Sequence, residues 1–128
     1  MPNVQFHIKK ARRNEDFYTL HKLEASGFND WAIVVLFYTL MHYVDAVLKQ
    51  DTSLSNDLRD PGGHSDRKIA IAKCSKLDPI ANNYLVLYDR SREARYYYHN
   101  FPDDYFNKLL SVVFKPAQKY LIKFLNLS

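Results

Sequence analysis

Two arginines and a histidine at helical spacing are the residues of this chain best placed to meet an anion. Arg92 and His99 stand seven positions apart, and Arg95 lies between them. In an α-helix a step of seven residues returns a side chain to nearly the same face, so Arg92 and His99 lie in line. Arg95 falls on the same side near the helix end, where the helix dipole favours each cation by only about 0.3–1 kcal/mol. This concentration of positive charge has to be compensated by acids or by a bound anion.

Nearby acids offer a second interpretation, in which the two arginines only form ion pairs within the bundle. Asp89 and Glu93 share the helix with Arg92 and Arg95, and Asp45 lies on an earlier, apolar helix. An ordinary ion-pair network among these side chains would leave no binding site. The sequence leaves both interpretations open.

A second polar stripe interrupts the most apolar segment of the chain. Tyr38, His42 and Asp45 follow one another at helical spacing, so their side chains share one face. A carboxylate three residues from a histidine can hold the imidazole in one tautomer, which proton transfer requires. The structural alternative is a core histidine in a helix–helix interface with its hydrogen bonds satisfied.

A third candidate lies where a loop meets a helix. His64 and Arg67 are the outer residues of a His-Ser-Asp-Arg run that follows a glycine pair. In the structural alternative Ser65 caps the helix, Asp66 interacts with its N-terminal dipole, and His64 is simply exposed.

Composition excludes several classes of protein. The chain has 128 residues, a net charge of +4, and 47% hydrophobic and 15% aromatic residues, which is enough for a core and argues against disorder. Its single cysteine, Cys74, excludes an intramolecular disulfide and a multi-cysteine zinc site. Glycine-rich phosphate loops, the HExxH zinc motif and the GxSxG nucleophile elbow are all missing. The sequence therefore predicts neither a metal site nor a cofactor.

Sparse glycine and proline predict helices along most of the chain. A first helix is expected to end at Gly27, because the left-handed conformation typical of a helix end suits glycine. Asn29 or Asp30 is expected to cap a second helix that runs to about Gln50. Residues 51–64 have the composition of one long loop.

The second half of the chain carries its own start and stop signals. Ser65 is expected to cap a third helix. Asp78 is expected to cap a fourth, with Pro79 in its first turn. Pro116 must kink or split the last helical stretch, because proline removes a backbone donor and clashes one turn back. The helices are expected over residues 65–76, 78–99 and 102–125.

These elements predict an all-α fold, an up-and-down bundle of four to six helices in a single domain over residues 1–128. The segment from Trp31 to Leu48 is just long enough to cross a membrane, but Thr39, His42 and Asp45 interrupt it. We therefore expect it to be the buried central helix of the bundle, with no membrane involved. No signal peptide pattern opens the sequence, so a cytoplasmic location is expected.

Three segments of the chain resemble the HEPN (higher eukaryotes and prokaryotes nucleotide-binding) family in its small, stand-alone prokaryotic form. The sharpest is the Ser-Arg-Glu-Ala-Arg-Tyr run within Tyr88–Tyr96. The other two are the aromatic, apolar stretch Asp30–Ala46 and the His64-x-x-Arg67 pair. The resemblance extends over about residues 12–125.

The resemblance implies a helical bundle that is often a homodimer, and in many members a metal-independent endoribonuclease with an Arg-x(4–6)-His motif. Arg92 and His99 match that motif with six residues between them. The resemblance therefore implies that His99 is a general acid or base and that Arg92 stabilises charge on the phosphate oxygens. It also implies that the substrate is RNA or a nucleotide, and that the protein is a toxin or a phage-defence component. The residues expected to bind this substrate are Arg95, His64, Arg67, Tyr38 and His42.

Glu93 departs from the family pattern, because active members commonly carry Asn, Asp or His directly after the motif arginine. The second hypothesis is therefore a non-catalytic HEPN module that binds a nucleotide or a protein partner, such as a small nucleotidyltransferase acting as antitoxin. The third is an unrelated helical scaffold in which the arginines and histidines only form ion pairs.

Overall fold

The computed structural model describes residues 2–97 and 101–128, and within these ranges every regular element is helical. The all-α bundle expected from the sequence is therefore confirmed. Seven α-helical segments occur in these ranges, or six apart from a single turn at residues 56–59. They are α1 (Val4–Leu20), α2 (Asn29–Gln50), α3 (Asn56–Arg59), α4 (His64–Lys73), α5 (Ala81–Tyr96), α6 (Asp103–Lys108) and α7 (Lys115–Phe124).

α2 is the central helix of the bundle. Apolar side chains project from almost all of its surface, so it packs against α1 and against α5. Phe37, Leu40 and Val44 are fully buried, and each such side chain contributes about 1.5–3 kcal/mol to folding. By length and composition α2 also passes as a candidate membrane span, and 72% of its most apolar window is buried inside the bundle. That burial is what the sequence led us to expect of a central helix.

α1 ends earlier than the expected first helix. Asn3 caps it, since its Oδ1 accepts a hydrogen bond at 2.8 Å from a backbone N–H one turn further on. The helix stops at Leu20, because Lys22 adopts a left-handed conformation with φ 50°. A 3₁₀ turn (Leu23–Ala25) follows, and Gly27 (φ 81°) comes after that turn and not at the end of the helix. The expected helix end at Gly27 was therefore wrong.

The start of α2 also differs from expectation. Phe28 occupies the cap position and no side chain caps the helix there, so the expectation of a cap at Asn29 or Asp30 was wrong. The Asn29 amide instead donates two hydrogen bonds of 2.8 Å, to the Phe101 carbonyl and to Asp103 Oδ1. These bonds tie the start of α2 to the chain that enters α6.

The segment 51–64, expected to be a loop, contains the one-turn α3 and is anchored at its start. Asp51 is buried at the end of α2 and accepts a hydrogen bond of 2.6 Å from the Ser53 hydroxyl. Lys76 Nζ lies 2.7 Å from the same carboxylate, and Cys74 Sγ lies 3.3 Å from it. Asp51 therefore joins the end of α2 to the residues that follow α4.

The Asp51 carboxylate makes the stability of the fold depend on pH. The hydrogen bonds from Lys76 and Ser53 hold the pKa of Asp51 well below its ordinary value of 3.8. The folded state therefore binds this proton less readily than the unfolded chain does. The stabilisation is complete at pH values well above 3.8 and is progressively lost as the pH falls below that value.

We expect Asp51→Asn to lower the free energy of unfolding at neutral pH and to flatten its decline between about pH 5 and pH 3. Urea unfolding at a series of pH values measures both effects. A decline equally steep in the variant and the wild type would show that Asp51 is not the titrating group.

α4 begins at His64 with Gly63 in the cap position, so the expected cap at Ser65 is off by two residues. It ends at Lys73, slightly short of the expected end at Lys76. The start of α4 lies close to the expected start, because the glycine pair directly before it marks the boundary.

A 3₁₀ helix (Ser75–Ile80) connects α4 to α5 and contains Pro79. The expectation that an α-helix starts at Asp78-Pro79 was therefore wrong. In a 3₁₀ helix side chains three residues apart align, and this alignment turns Leu77 and Ile80 together into the core, where both are buried. The expected end of α5 at His99 lies outside the described residues.

The last helical stretch is split just before Pro116, as expected, by a change from α-helical to π-helical hydrogen bonding. A π-helical segment (Leu109–Phe114) separates α6 from α7, and Pro116 lies in the first turn of α7. The wider π turn accommodates a ring that would clash with the carbonyl one turn back. The Val113 carbonyl in this segment accepts a hydrogen bond of 2.9 Å from the Asn83 amide, which joins it to α5.

Candidate functional site

One surface of the bundle combines cations with aromatic rings. α5 contributes three residues to it, α4 contributes two, and α2 contributes one. We call this surface the cationic face and define it by Tyr38, His64, Lys68, Tyr88, Arg92 and Arg95.

Arg95 is held on this face by aromatic rings. Its Nη1 donates a hydrogen bond of 2.7 Å to the Tyr38 hydroxyl. The guanidinium carbon lies 5.4 Å from the ring centre of Tyr38 and 5.1 Å from that of Tyr96, both within the range of cation–π attraction. Among the described residues no acid lies within ion-pairing distance of Arg95. The positive charge is thus oriented but not neutralised.

His64 and Lys68 extend the face along α4. The Lys68 ammonium lies 4.2 Å from the ring centre of Tyr88, and the His64 ring centre lies 5.1 Å from it. Burial, together with the positive charges of Arg67 and Arg95, lowers the pKa of His64. The His64 imidazole is therefore neutral at pH 7, and its buried Nδ1 has no hydrogen-bond partner among the described residues.

Arg92 is exposed, and the acid that follows it in sequence is occupied elsewhere. Glu93 Oε1 accepts a hydrogen bond of 2.9 Å from Arg90, which lies on another side of α5. Asp45 pairs with Arg67, and in the described part of the chain Asp89 forms no ion pair. The ion-pair network considered for Arg92 and Arg95 is therefore not formed among these residues.

A second group of polar residues lies between α1, α2 and α4, with Asp45 and Arg67 buried and the two histidines half-buried. We call it the buried polar cluster and define it by His7, His42, Asp45 and Arg67. Arg67 Nε and Nη2 donate hydrogen bonds of 2.7 and 3.1 Å to the two oxygens of Asp45. Arg67 is 8% and Asp45 5% exposed, so this bidentate pair is shielded from water.

The two histidines of the buried polar cluster face each other across the α1–α2 contact. Their ring centres lie 5.8 Å apart, and His7 Nδ1 lies 4.0 Å from Asp45 Oδ2. Burial lowers the pKa of His42 to about 4 and also lowers the pKa of His7, in both cases against the opposing charge of Asp45. Both imidazoles are therefore neutral at pH 7. Neither Nδ1 has a hydrogen-bond partner among the described residues.

The structure divides the residues expected to bind substrate between these two groups. Tyr38, His64 and Arg95 come together on the cationic face, whereas His42 and Arg67 belong to the buried polar cluster. Tyr38 and His42 share one stripe of α2, but a rotation of about 40° separates them, and this is enough to turn Tyr38 toward α5 and His42 toward α1.

One expected site residue cannot be compared with the structure, and one residue of the buried polar cluster was not expected. His99, expected to be catalytic, lies outside the described residues. His7 was missed, because it lies 35 positions before His42 and no periodic pattern connects them. The sequence did contain one signal for it. Asn3 is a favourable helix cap, and a helix that starts there includes His7.

We expect Arg67→Ala to lower the free energy of unfolding by about 3–5 kcal/mol, because it leaves the Asp45 carboxylate buried without its partner. Arg13→Ala, which removes an exposed arginine of α1, is the matched control and should change stability by less than about 0.5 kcal/mol. Urea unfolding followed by circular dichroism gives both values. Similar losses in the two variants would contradict the assignment of a shielded pair.

No protein-family model matches this chain, and comparisons with curated proteins and with solved structures found no significant match either.

Proposed function

We propose that this protein binds single-stranded RNA through the cationic face and cleaves it as a metal-independent endoribonuclease of the HEPN type. The observation that carries the proposal is the position of Arg95 and Arg92, two cations on one helix face with no ion pair to a described acid. A phosphate group would supply the missing negative charge.

Electrostatics supports an anionic ligand on this face. Arg92, Arg95 and Lys68 concentrate positive charge on one face of a chain whose net charge is +4, and each repels the others. Binding of a polyanion relieves this repulsion and releases counterions, which makes such binding favourable and salt-dependent. The hydrogen bond from Arg95 to Tyr38 fixes the guanidinium beforehand, so less side-chain entropy is lost when a phosphate binds.

Exposed aromatic rings support a nucleic acid rather than a simple anion. Tyr96 and Tyr97 are 69% and 60% exposed at the described end of α5, next to Arg95 in sequence. Base stacking on such rings contributes about 1–3 kcal/mol per base and is tolerant of sequence. Cations with adjacent aromatic rings are typical of surfaces that bind single strands.

Cleavage would use the motif that the family resemblance identifies. His99 would accept the proton of a ribose 2′-hydroxyl as that oxygen attacks the phosphorus and the bond to the 5′-oxygen breaks, and would then pass the proton to the leaving 5′-oxygen. Arg92 would stabilise the charge that develops on the non-bridging oxygens. The Glu93 carboxylate beside Arg92 would repel a phosphate, but its hydrogen bond with Arg90 offsets part of that negative charge. As the resemblance implies, the active form would be a homodimer.

We expect Arg95→Gln to weaken binding of a short single-stranded RNA and to lower the slope of log K against log salt by about 0.7 for each phosphate that Arg95 neutralises in the wild type. Lys119→Gln, which removes an exposed cation of α7, is the control of equal charge change and should leave binding at the cationic face unchanged. Fluorescence anisotropy at several salt concentrations measures both. Equal effects of the two variants would indicate attraction by net charge alone.

We expect wild-type protein to cut labelled RNA in EDTA, and His99→Ala to reduce the rate by at least about 100-fold, given the size of general acid–base terms. His21→Ala, a change at an exposed histidine, should cleave normally. Cleavage retained in His99→Ala would remove His99 from the mechanism. RNA bound but not cut by folded wild-type protein would replace the nuclease with the non-catalytic binding module.

A further inference from the structure

The buried polar cluster has the geometry of a metal site. His7, His42 and Asp45 each offer one ligand atom, and these three atoms lie within 4.8 Å of one another. We propose that these residues bind one divalent transition-metal ion, of which Zn²⁺ is the best fit, and leave a coordination position open toward the adjoining cavity.

The donor set selects the class of ion. Two imidazole nitrogens and one carboxylate oxygen suit Zn²⁺ and neighbouring first-row ions, whereas Mg²⁺ and Ca²⁺ prefer ligand sets made of oxygen alone. Three protein ligands also leave a place for water or a small anion, which distinguishes exchangeable zinc sites from closed structural ones.

The distances require only small movements. Three atoms no more than 4.8 Å apart lie within about 2.8 Å of a common centre, and zinc bonds to nitrogen and oxygen measure about 2.0–2.2 Å. Each ligand atom must therefore move by less than about 1 Å. Side-chain torsions vary by up to about 30° within one rotamer well, and rotations of that size are enough for such a shift.

The protonation state and hydrogen bonding of the cluster also suit a metal. A ligand histidine must be neutral, and burial already favours the neutral form of His7 and His42. The Nδ1 atoms of both rings are buried and lack hydrogen-bond partners in the described part of the chain. Coordination to a metal gives an otherwise unpaired nitrogen its partner.

Arg67 and the neighbouring cavity complete the arrangement. Arg67 holds Asp45 by two hydrogen bonds, in the manner of the outer partners that orient metal-binding carboxylates. A cavity of about 320 Å³ lies beside His7 and Asp45 and is also lined by Arg59 and Asp60. The cavity supplies an entry path for the ion and space for its fourth ligand.

The test uses full-length protein with any affinity tag removed, stripped with EDTA and dialysed. Isothermal titration with Zn²⁺ and the visible spectrum of the Co²⁺ form measure the affinity and the number of ions bound. We expect one equivalent to bind, and His7→Gln and His42→Gln each to weaken binding by at least about tenfold, since loss of even an outer partner costs 10–100-fold. His21→Gln, at an exposed histidine on another part of the surface, is the matched control and should bind like the wild type.

Thermal unfolding separates loss of the site from loss of the fold. Zn²⁺ should raise the Tm of the wild type and of His21→Gln, and should raise the Tm of His7→Gln clearly less. His7 is the safer variant, since its side chain remains 12% exposed. Folded wild-type protein that binds no stoichiometric ion, or binding that survives in both His7→Gln and His42→Gln, would overturn the proposal. Because the proposed RNA cleavage is measured in EDTA, the two proposals stand or fall separately.

Discussion

A carboxylate buried in the most apolar helix is the constraint on which the rest of this structure depends. Asp45 lies on the helix that forms the centre of the bundle and is 5% exposed. An isolated charge in such a place would cost several kcal/mol, so it has to be paired and hydrogen-bonded. Arg67 meets that requirement with two hydrogen bonds, and in doing so it fixes the position of α4 against α2.

The position of α4 then determines both groups of functional candidates. His64 lies one turn before Arg67, so the same ion pair places its ring beside Tyr88 on the cationic face. On the other side of the pair, Asp45 faces His7. A buried ion pair contributes little more to stability than a well-packed apolar pair of the same volume. Its main effect here is therefore on position. It places His64 on one side of the Asp45–Arg67 pair and His7 on the other.

The two groups differ in how their charges are compensated. On the cationic face the guanidinium of Arg95 is oriented by aromatic rings and a hydroxyl, which leave its charge intact. In the buried polar cluster the one carboxylate is satisfied by Arg67, and the two imidazoles are kept neutral by burial. The first arrangement suits a polyanion at the surface, and the second suits a cation that accepts neutral nitrogen ligands. The two groups therefore have opposite electrostatic preferences within one small bundle.

The sequence by itself determined the helical class, the central position of α2 and the shared stripe of Tyr38, His42 and Asp45, because helical periodicity depends only on residues a few positions apart. It did not determine where α1 ends or where α5 begins, since a left-handed Lys22 and a 3₁₀ turn that buries Leu77 depend on how the chain packs. Only the tertiary structure paired Asp45 with Arg67 and brought His7 to His42, because these contacts join residues 22 and 35 positions apart. Which cations remain unpaired was likewise decided by packing, since a charge is compensated by whatever lies near it in space.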